Sequence, residues 1–351
     1  MRYSSLCGGV CLSLFMGQAA LAETADWSIG SDAQLAAVDF AQIEPYVADP
    51  ALLTLANDLP RSSTLVEPAA YTEQESFLHF ALRRIEANGV GDYSVGTFFD
   101  QSSDVWVDFT GILAHILYKE LTADYAGHKS FHFEDEGWFG KNTYSLGMDK
   151  LGHAYGGFIY ADYFTQRITH SRGDARGAGI TGALLSFGVQ GVIEITDGFA
   201  SEYGFSNEDL IANALGAGFS ALRTTIPGLA EKVDFRMEYD PWVNNQTEFQ
   251  PFNSYTNQKY LLAVKLSGFE QLEDSPLRFV ELQAGYFARG FGHKGSPPTG
   301  ELRRVPYFAI GVNLAELFNV EPVRDTVPAL IAQRAFQYIQ VPHTYAATTN
   351  K

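Results

Sequence analysis

Seven residues in the middle third of the chain have types and spacings suited to chemistry. Asp149, Lys150 and His153 lie in Met148-Asp149-Lys150-Leu151-Gly152-His153-Ala154-Tyr155-Gly156-Gly157. Glu194 and Asp197 close an apolar run that extends from Ala178 to Ile195 and is followed by Gly198. Asp209 and Asn213 follow Phe205-Ser206-Asn207-Glu208 and lead into the small residues Ala214, Gly216, Ala217 and Gly218. On helices, positions 149 and 153 share a face, as do 209 and 213. In one pocket, these carboxylates with an imidazole and an amide could hold a divalent cation without a thiolate. In the other reading, Asp149 orients His153 as a general base and Glu194, its pKa raised by burial, acts as the acid. Asp149, His153 and Glu194 are therefore the candidate catalytic residues. Lys150, Asp197, Asp209 and Asn213 are the candidate ligand-binding residues.

Each residue also has a structural job open to it. Asp149 can cap the helix that follows it, and Ser206-x-x-Asp209 has the spacing of a capping box. Glu194 stands among Leu184, Leu185, Phe187, Val189, Val192 and Ile193, with Ser186 and Gln190 as its nearest polar companions in sequence. A buried carboxylate needs a partner or a proton, and Lys150 is the natural partner. Asp197 at a helix C-terminus opposes the dipole and needs a compensating group. The alternative to a working site is thus a buried ion-pair network in a non-catalytic scaffold or assembly factor. No Gly-x-Ser-x-Gly, glycine-rich phosphate loop or His-Glu-x-x-His motif is present to name a reaction.

The elements needed to hold these residues are mainly helical. Thr72-x-x-Glu75 heads a helix with Phe77, Phe80, Ala81 and Ile85 that ends near Asn88-Gly89. A second helix runs from Asp104 to Tyr125, with Val107, Leu113, Leu117 and Leu121 along one side and His115 packed within it. Residues 128–140 read as a loop with a short strand. His128 and His132 have the spacing of a helical metal pair there, but no helix signal accompanies them. The run Ala178–Ile195 has the length of a short membrane span.

A different texture follows Pro227–Pro241, which breaks the pattern. Residues 259–269, 277–289 and 305–314 alternate with period two, as three strands of an antiparallel meander. Eight strands are about the minimum for a membrane barrel, so a small sheet covering the helical core is expected. A last helix is expected within 325–340. The fold class is α+β: a core of small-residue helices with a membrane-associated character, and a C-terminal antiparallel meander. The expected divisions are a signal peptide at 1–22, a loose lead-in at 23–70, the helical core at 71–235, the strand region at 240–320 and a terminal helix and tail at 321–351.

Arg2, the apolar stretch Leu6–Met16 and Ala20-Leu21-Ala22 have the layout of a cleaved secretory signal. Both cysteines, Cys7 and Cys11, fall inside it, so the expected mature chain has no disulfide and no thiolate site. Neither has the small preceding residue that lipoprotein processing requires. A net charge of −17 without a basic cluster excludes nucleic acid as a partner and argues against simple docking on anionic lipid.

The three motifs Asp-Lys-x-x-His, Glu-x-x-Asp-Gly-Phe and Phe-Ser-x-x-Asp-x-x-x-Asn-x-x-Gly, in order over roughly residues 137–218, resemble the YfiM-like predicted periplasmic lipoproteins, a domain family of unknown function. They are more distantly similar to VanZ-like membrane proteins. The resemblance implies a periplasmic compartment and a site, without a reaction. The resulting expectation is an exported envelope protein whose Asp/His/Glu pocket binds or processes an envelope lipid or lipid-linked glycan, with a membrane or its lipid as partner.

Overall fold

The computed structural model describes residues 92–122, 130–140, 143–173, 177–201, 203–243, 254–292 and 294–349. The expected leader, the lead-in, the helix headed by Thr72 and Glu75, and His128 lie outside the described residues. Two helices, α1 (Val95–Asp104) and α2 (Trp106–Thr122), precede the three that carry the candidate residues: α3 (Met148–Arg172), α4 (Ala178–Asp197) and α5 (Asn207–Thr225). Ser94 caps α1 by accepting the Thr97 N–H at 3.1 Å, and Ser206 caps α5 by accepting the Asp209 N–H at 3.2 Å. Gly173, with φ 66°, ends α3 in the left-handed conformation that glycine adopts without steric cost.

Glycines let α3 and α5 approach backbone to backbone. A Cβ on Gly157 would lie 2.3 Å from the Asn213 carbonyl oxygen, and one on Gly216 would lie 1.7 Å from that of Ala154. The Ser186 hydroxyl of α4 donates to the Gly157 carbonyl at 2.7 Å, binding the third helix to the same point. Further along, Tyr160, Phe164 and Ile168 of α3 pack with Leu185 and Val189 of α4 and with Val105, Ile112 and Ile116. The expected helix over 104–125 is α2, set off from α1 at Val105, and its buried side keeps Leu113 but otherwise differs from the expected one. Val107 and Leu117 are exposed, because apolar residues surround α2 and Ile112 and Ile116 meet the core instead. His115 is likewise exposed rather than packed.

After α6 (Leu229–Lys232) come β1 (Val233–Tyr239), β2 (Gln258–Lys265), β3 (Val280–Arg289) and β4 (Arg303–Val312). The chain ends with α7 (Leu314–Leu317), α8 (Val327–Ala335), β5 (Ile339–Gln340) and β6 (Tyr345–Ala347). The sheet order is β5-β1-β2-β3-β4-β6, with β5 parallel to β1 and every other pair antiparallel. The α+β class and the meander β2–β3–β4 match expectation, whereas β1 falls where a break was expected. Its sequence alternates Asp234, Arg236 and Glu238 with Phe235, Met237 and Tyr239, and both sets are buried. Phe235 and Met237 join Tyr155 and Phe158 of α3 in one core, so helices and sheet pack together. On the opposite face Arg236 bridges Asp234 at 2.7 Å and Glu281 at 2.9 Å, and Asp234 also meets Lys265 at 2.8 Å and Arg223 at 2.9 Å. The expected last helix is shorter, because the chain leaves α8 to pair with β1, where the Met237 N–H donates to the Tyr338 carbonyl at 2.9 Å.

The register shows what the sheet leaves outside. Phe235 pairs with Leu262, Leu262 with Ala284 and Ala284 with Phe308, so these four share a face. Helix α3 covers that face at β1 and at Tyr260 of β2, with Tyr155 packed against both Phe235 and Tyr260. Farther across, Leu262, Leu282, Phe308, Ile310 and Val312 are exposed while Glu281 and Gln283 are buried. The inward face beyond β1 thus holds Glu281 and Gln283 beside Leu261, Phe287 and Tyr307, while Leu262, Leu282, Phe308 and Ile310 point outward.

Candidate functional site

The N-terminal turns of α3 and α5 and the C-terminal turn of α4 meet at one end of the helical group. Lys150 is buried there, its side chain 1% exposed, with Nζ 2.7 Å from Asp209 Oδ1, 2.8 Å from Glu136 Oε2 and 2.9 Å from Asp149 Oδ2. Burial disfavours the ammonium ion, but the Asp149, Asp209 and Glu136 charges outweigh it and raise the Lys150 pKa above the ordinary lysine value. The expected pairing of Lys150 with Glu194 is not what forms. Glu194 instead faces His153, with Nδ1 3.2 Å from Oε1, and accepts from Asn213 Nδ2 at 3.2 Å. Gln190 Nε2 in turn donates to Asn213 Oδ1 at 2.6 Å, holding the amide so that its NH2 group points at Glu194.

His153 stands between two acids, since its Nε2 is 3.5 Å from Asp209 Oδ1. It is also the open member of the centre: its side chain is 21% exposed, against 1% for Glu194 and 6% for Asp209. Burial lowers the tendency of the imidazole to protonate, but Asp209 and Glu194 overcome this and push its pKa up to about 10. For Asp209 burial prevails, and its carboxyl rises to about 7 against the opposing pull of His153 and Lys150. Burial would also raise Glu136, yet Lys150 and Lys294 hold it down at about 2.

Asp149 neither caps α3 nor faces His153. Gly147, with φ 91°, is the capping residue, and Asp149 lies in the first turn. Its N–H donates to Ser145 Oγ at 3.2 Å and its carboxylate accepts the Ser145 hydroxyl. Side chains on a helix lean toward the N-terminus, which turns Asp149 toward Ser145 and Lys150. Asp209 keeps the backbone half of the capping box, but its carboxylate reaches across to Lys150 and His153. Among the described residues, two groups have donor atoms close enough to hold an ion: His153, Glu194 and Asp209, and Glu136, Asp149 and Asp209. Asp197, half-buried in the last turn of α4, stands outside both.

Several members of the site were not foreseen. Glu136 comes from the 130–140 loop, whose expected short strand survives as a parallel bridge between Phe133 and Phe205. Its signal was the acidic run Glu134-Asp135-Glu136 shortly before the Asp149 motif. Lys294 meets Glu136 Oε1 at 2.6 Å and Glu134 Oε2 at 3.1 Å from the β3–β4 connection, 158 residues from Glu136, where local spacing carries no signal. Tyr255 closes over α3 at Gly152, where a Cβ would lie 2.7 Å from its ring. Burial, with Asp149 and Asp209 among the nearby charges, pushes the phenols of Tyr255 and Tyr144 well above the usual tyrosine value.

The fold and the centre define a helical domain in which a charge cluster joins three helix ends and opens at one histidine. Residues 135–225 of this domain match the model of a family described as predicted periplasmic lipoprotein (DUF2279). The match takes in α3, α4, α5 and Glu136, and it points to an exported protein of the periplasm and cell envelope. No curated protein and no solved structure matches the chain.

Proposed function

We propose that this envelope protein lies against a membrane and uses the His153 centre to bind or process an envelope lipid or lipid-linked glycan. The observation that carries this reading is a charged centre that opens at His153 beside helix faces that have no charge. No Asp, Glu, Lys, Arg or His occurs from 178 to 193 in α4 or from 210 to 222 in α5. The exposed side chains on these helices include Leu184, Phe187, Ile195, Ile211, Leu215 and Leu222. Ile195 adjoins Glu194, and Ile211 is two residues from Asp209, so exposed apolar side chains stand on the same helix turns as the acids of the centre. In a chain with 19% charged residues, such faces suit lipid rather than water. Helix α4 is long and apolar enough to cross a membrane by length and composition, and half of that window is buried in the protein. The apolar outer face of β2–β4 and the motif resemblance to VanZ-like membrane proteins support the same reading.

The structural reading has one observation of its own: Lys150 is fully paired, as a buried lock should be. The two readings divide the cluster. Lys150 with Glu136 and Asp149 fixes the helix ends, and His153 with Glu194 and Asp209 meets the ligand. Lipid extraction of the purified protein followed by mass spectrometry tests this. Wild type is expected to retain an envelope lipid that Glu194→Ala loses. Identical lipid in both proteins, or none in either, contradicts the proposal.

A further inference from the structure

We propose that His153, Glu194 and Asp209 bind a divalent transition-metal ion of the zinc or manganese type, with the imidazole and the two carboxylates as its ligands. This rests on reading the His153 centre as the working part of the protein, and it adds an ion to that centre. The two ion-sized groups in the cluster differ in one respect. In the group of Glu136, Asp149 and Asp209, the place of a cation is taken by Lys150 Nζ, within 2.9 Å of all three acids. In the group of His153, Glu194 and Asp209, the imidazole itself faces the acids, at 3.2 and 3.5 Å. These separations exceed the roughly 2.7–2.9 Å of a charge-assisted hydrogen bond. The ring turns Nδ1 to Glu194 and Nε2 to Asp209, so one of the two nitrogens would be the ligand, and one donor atom from each of the three residues lies within 4.8 Å of the others, close enough to share an ion.

Charge points the same way. Lys150 meets Glu136, Asp149 and Asp209, and Lys294 meets Glu136 and Glu134, so the charge that faces Glu194 is that of the His153 imidazolium. A divalent ion that takes the place of the imidazole proton balances Glu194 and Asp209 instead. The donors are nitrogen and oxygen without sulfur, a set that zinc and manganese accept. The ligands also have outer support of the kind metal sites require. Asn213, held by Gln190, orients Glu194, and Lys150 orients Asp209. The exposed edge of His153 gives the ion a way in and leaves a coordination position for a phosphate or sugar oxygen of the lipid.

Calorimetric titration of the EDTA-treated, dialysed protein with zinc and with manganese, without added lipid, tests the proposal. Wild type and Glu316→Gln, a control outside the cluster, are expected to bind a single ion with equal affinity. His153→Gln, at the most exposed of the three ligand positions, and Glu194→Gln are expected to weaken binding by about 100-fold or more. Circular dichroism establishes that each variant is folded. Wild type that takes up neither ion overturns the proposal, as does undiminished binding by folded His153→Gln. Lipid extraction on the same preparations separates the two readings. Retained lipid without ion binding overturns the metal site alone, and ion binding without lipid overturns the lipid reading alone.

Discussion

Replacing Gly216 by alanine is expected to cost about 3 kcal/mol or more of folding stability, an unusually large effect for one methyl group. Its Cβ would lie 1.7 Å from the Ala154 carbonyl oxygen and 2.6 Å from the carbonyl carbon, both backbone atoms of α3. A side chain could rotate away, but a helix backbone cannot, so α3 and α5 must separate. That separation moves Asn213 and Asp209 away from His153 and Glu194, which their short side chains cannot make up. Urea unfolding measures the loss. A variant within about 1 kcal/mol of wild type would show that α3 and α5 do not approach as closely as described.

Lys150→Met is the other large effect. Methionine nearly keeps the volume and removes the charge, leaving Glu136, Asp149 and Asp209 facing one another without their shared cation. Breaking a buried ion pair by removing one partner costs about 3–5 kcal/mol, because the remaining charge stays desolvated. Three acids share this partner, so the upper part of that range is expected. The gap to wild type should narrow as pH falls, since the stranded carboxyls rise in pKa and take up protons before those of wild type. A loss under about 1 kcal/mol, or one independent of pH, would mean that Lys150 is not the lock.

The helical core was legible because its motifs combine polar residues with small ones at helical spacing. The meander was legible because period-two alternation in β2, β3 and β4 needs no knowledge of the interior. Strand β1 was not, because Asp234, Arg236 and Glu238 read as a solvated break until Arg223, Lys265 and Glu281 are known to face them. The outward direction of Leu282 and Ile310 was hidden for a related reason. Alternation separates two faces, but a buried ion-pair network decides which one turns inward. At the centre, Asp149, Lys150, His153, Glu194, Asp209 and Asn213 stand together and Asp197 does not, and the pairing among them could not be read. Lys150 and Asp149 are neighbours in sequence and remain partners, but the acids on His153 come from α4 and α5. Glu136 and Lys294 complete the cluster through contacts that only the folded chain creates.

The most direct measurement is histidine-selective NMR of the folded protein before and after addition of phospholipid nanodiscs. The chain has eight histidines, and the spectrum of His153→Gln assigns the one at the centre. If the centre meets lipid, the imidazole resonances of His153 shift when nanodiscs are added, and those of exposed His115 change less. If His153 remains unchanged while the protein is bound to the nanodiscs, the centre does not touch lipid, and its charges serve only to join the helices.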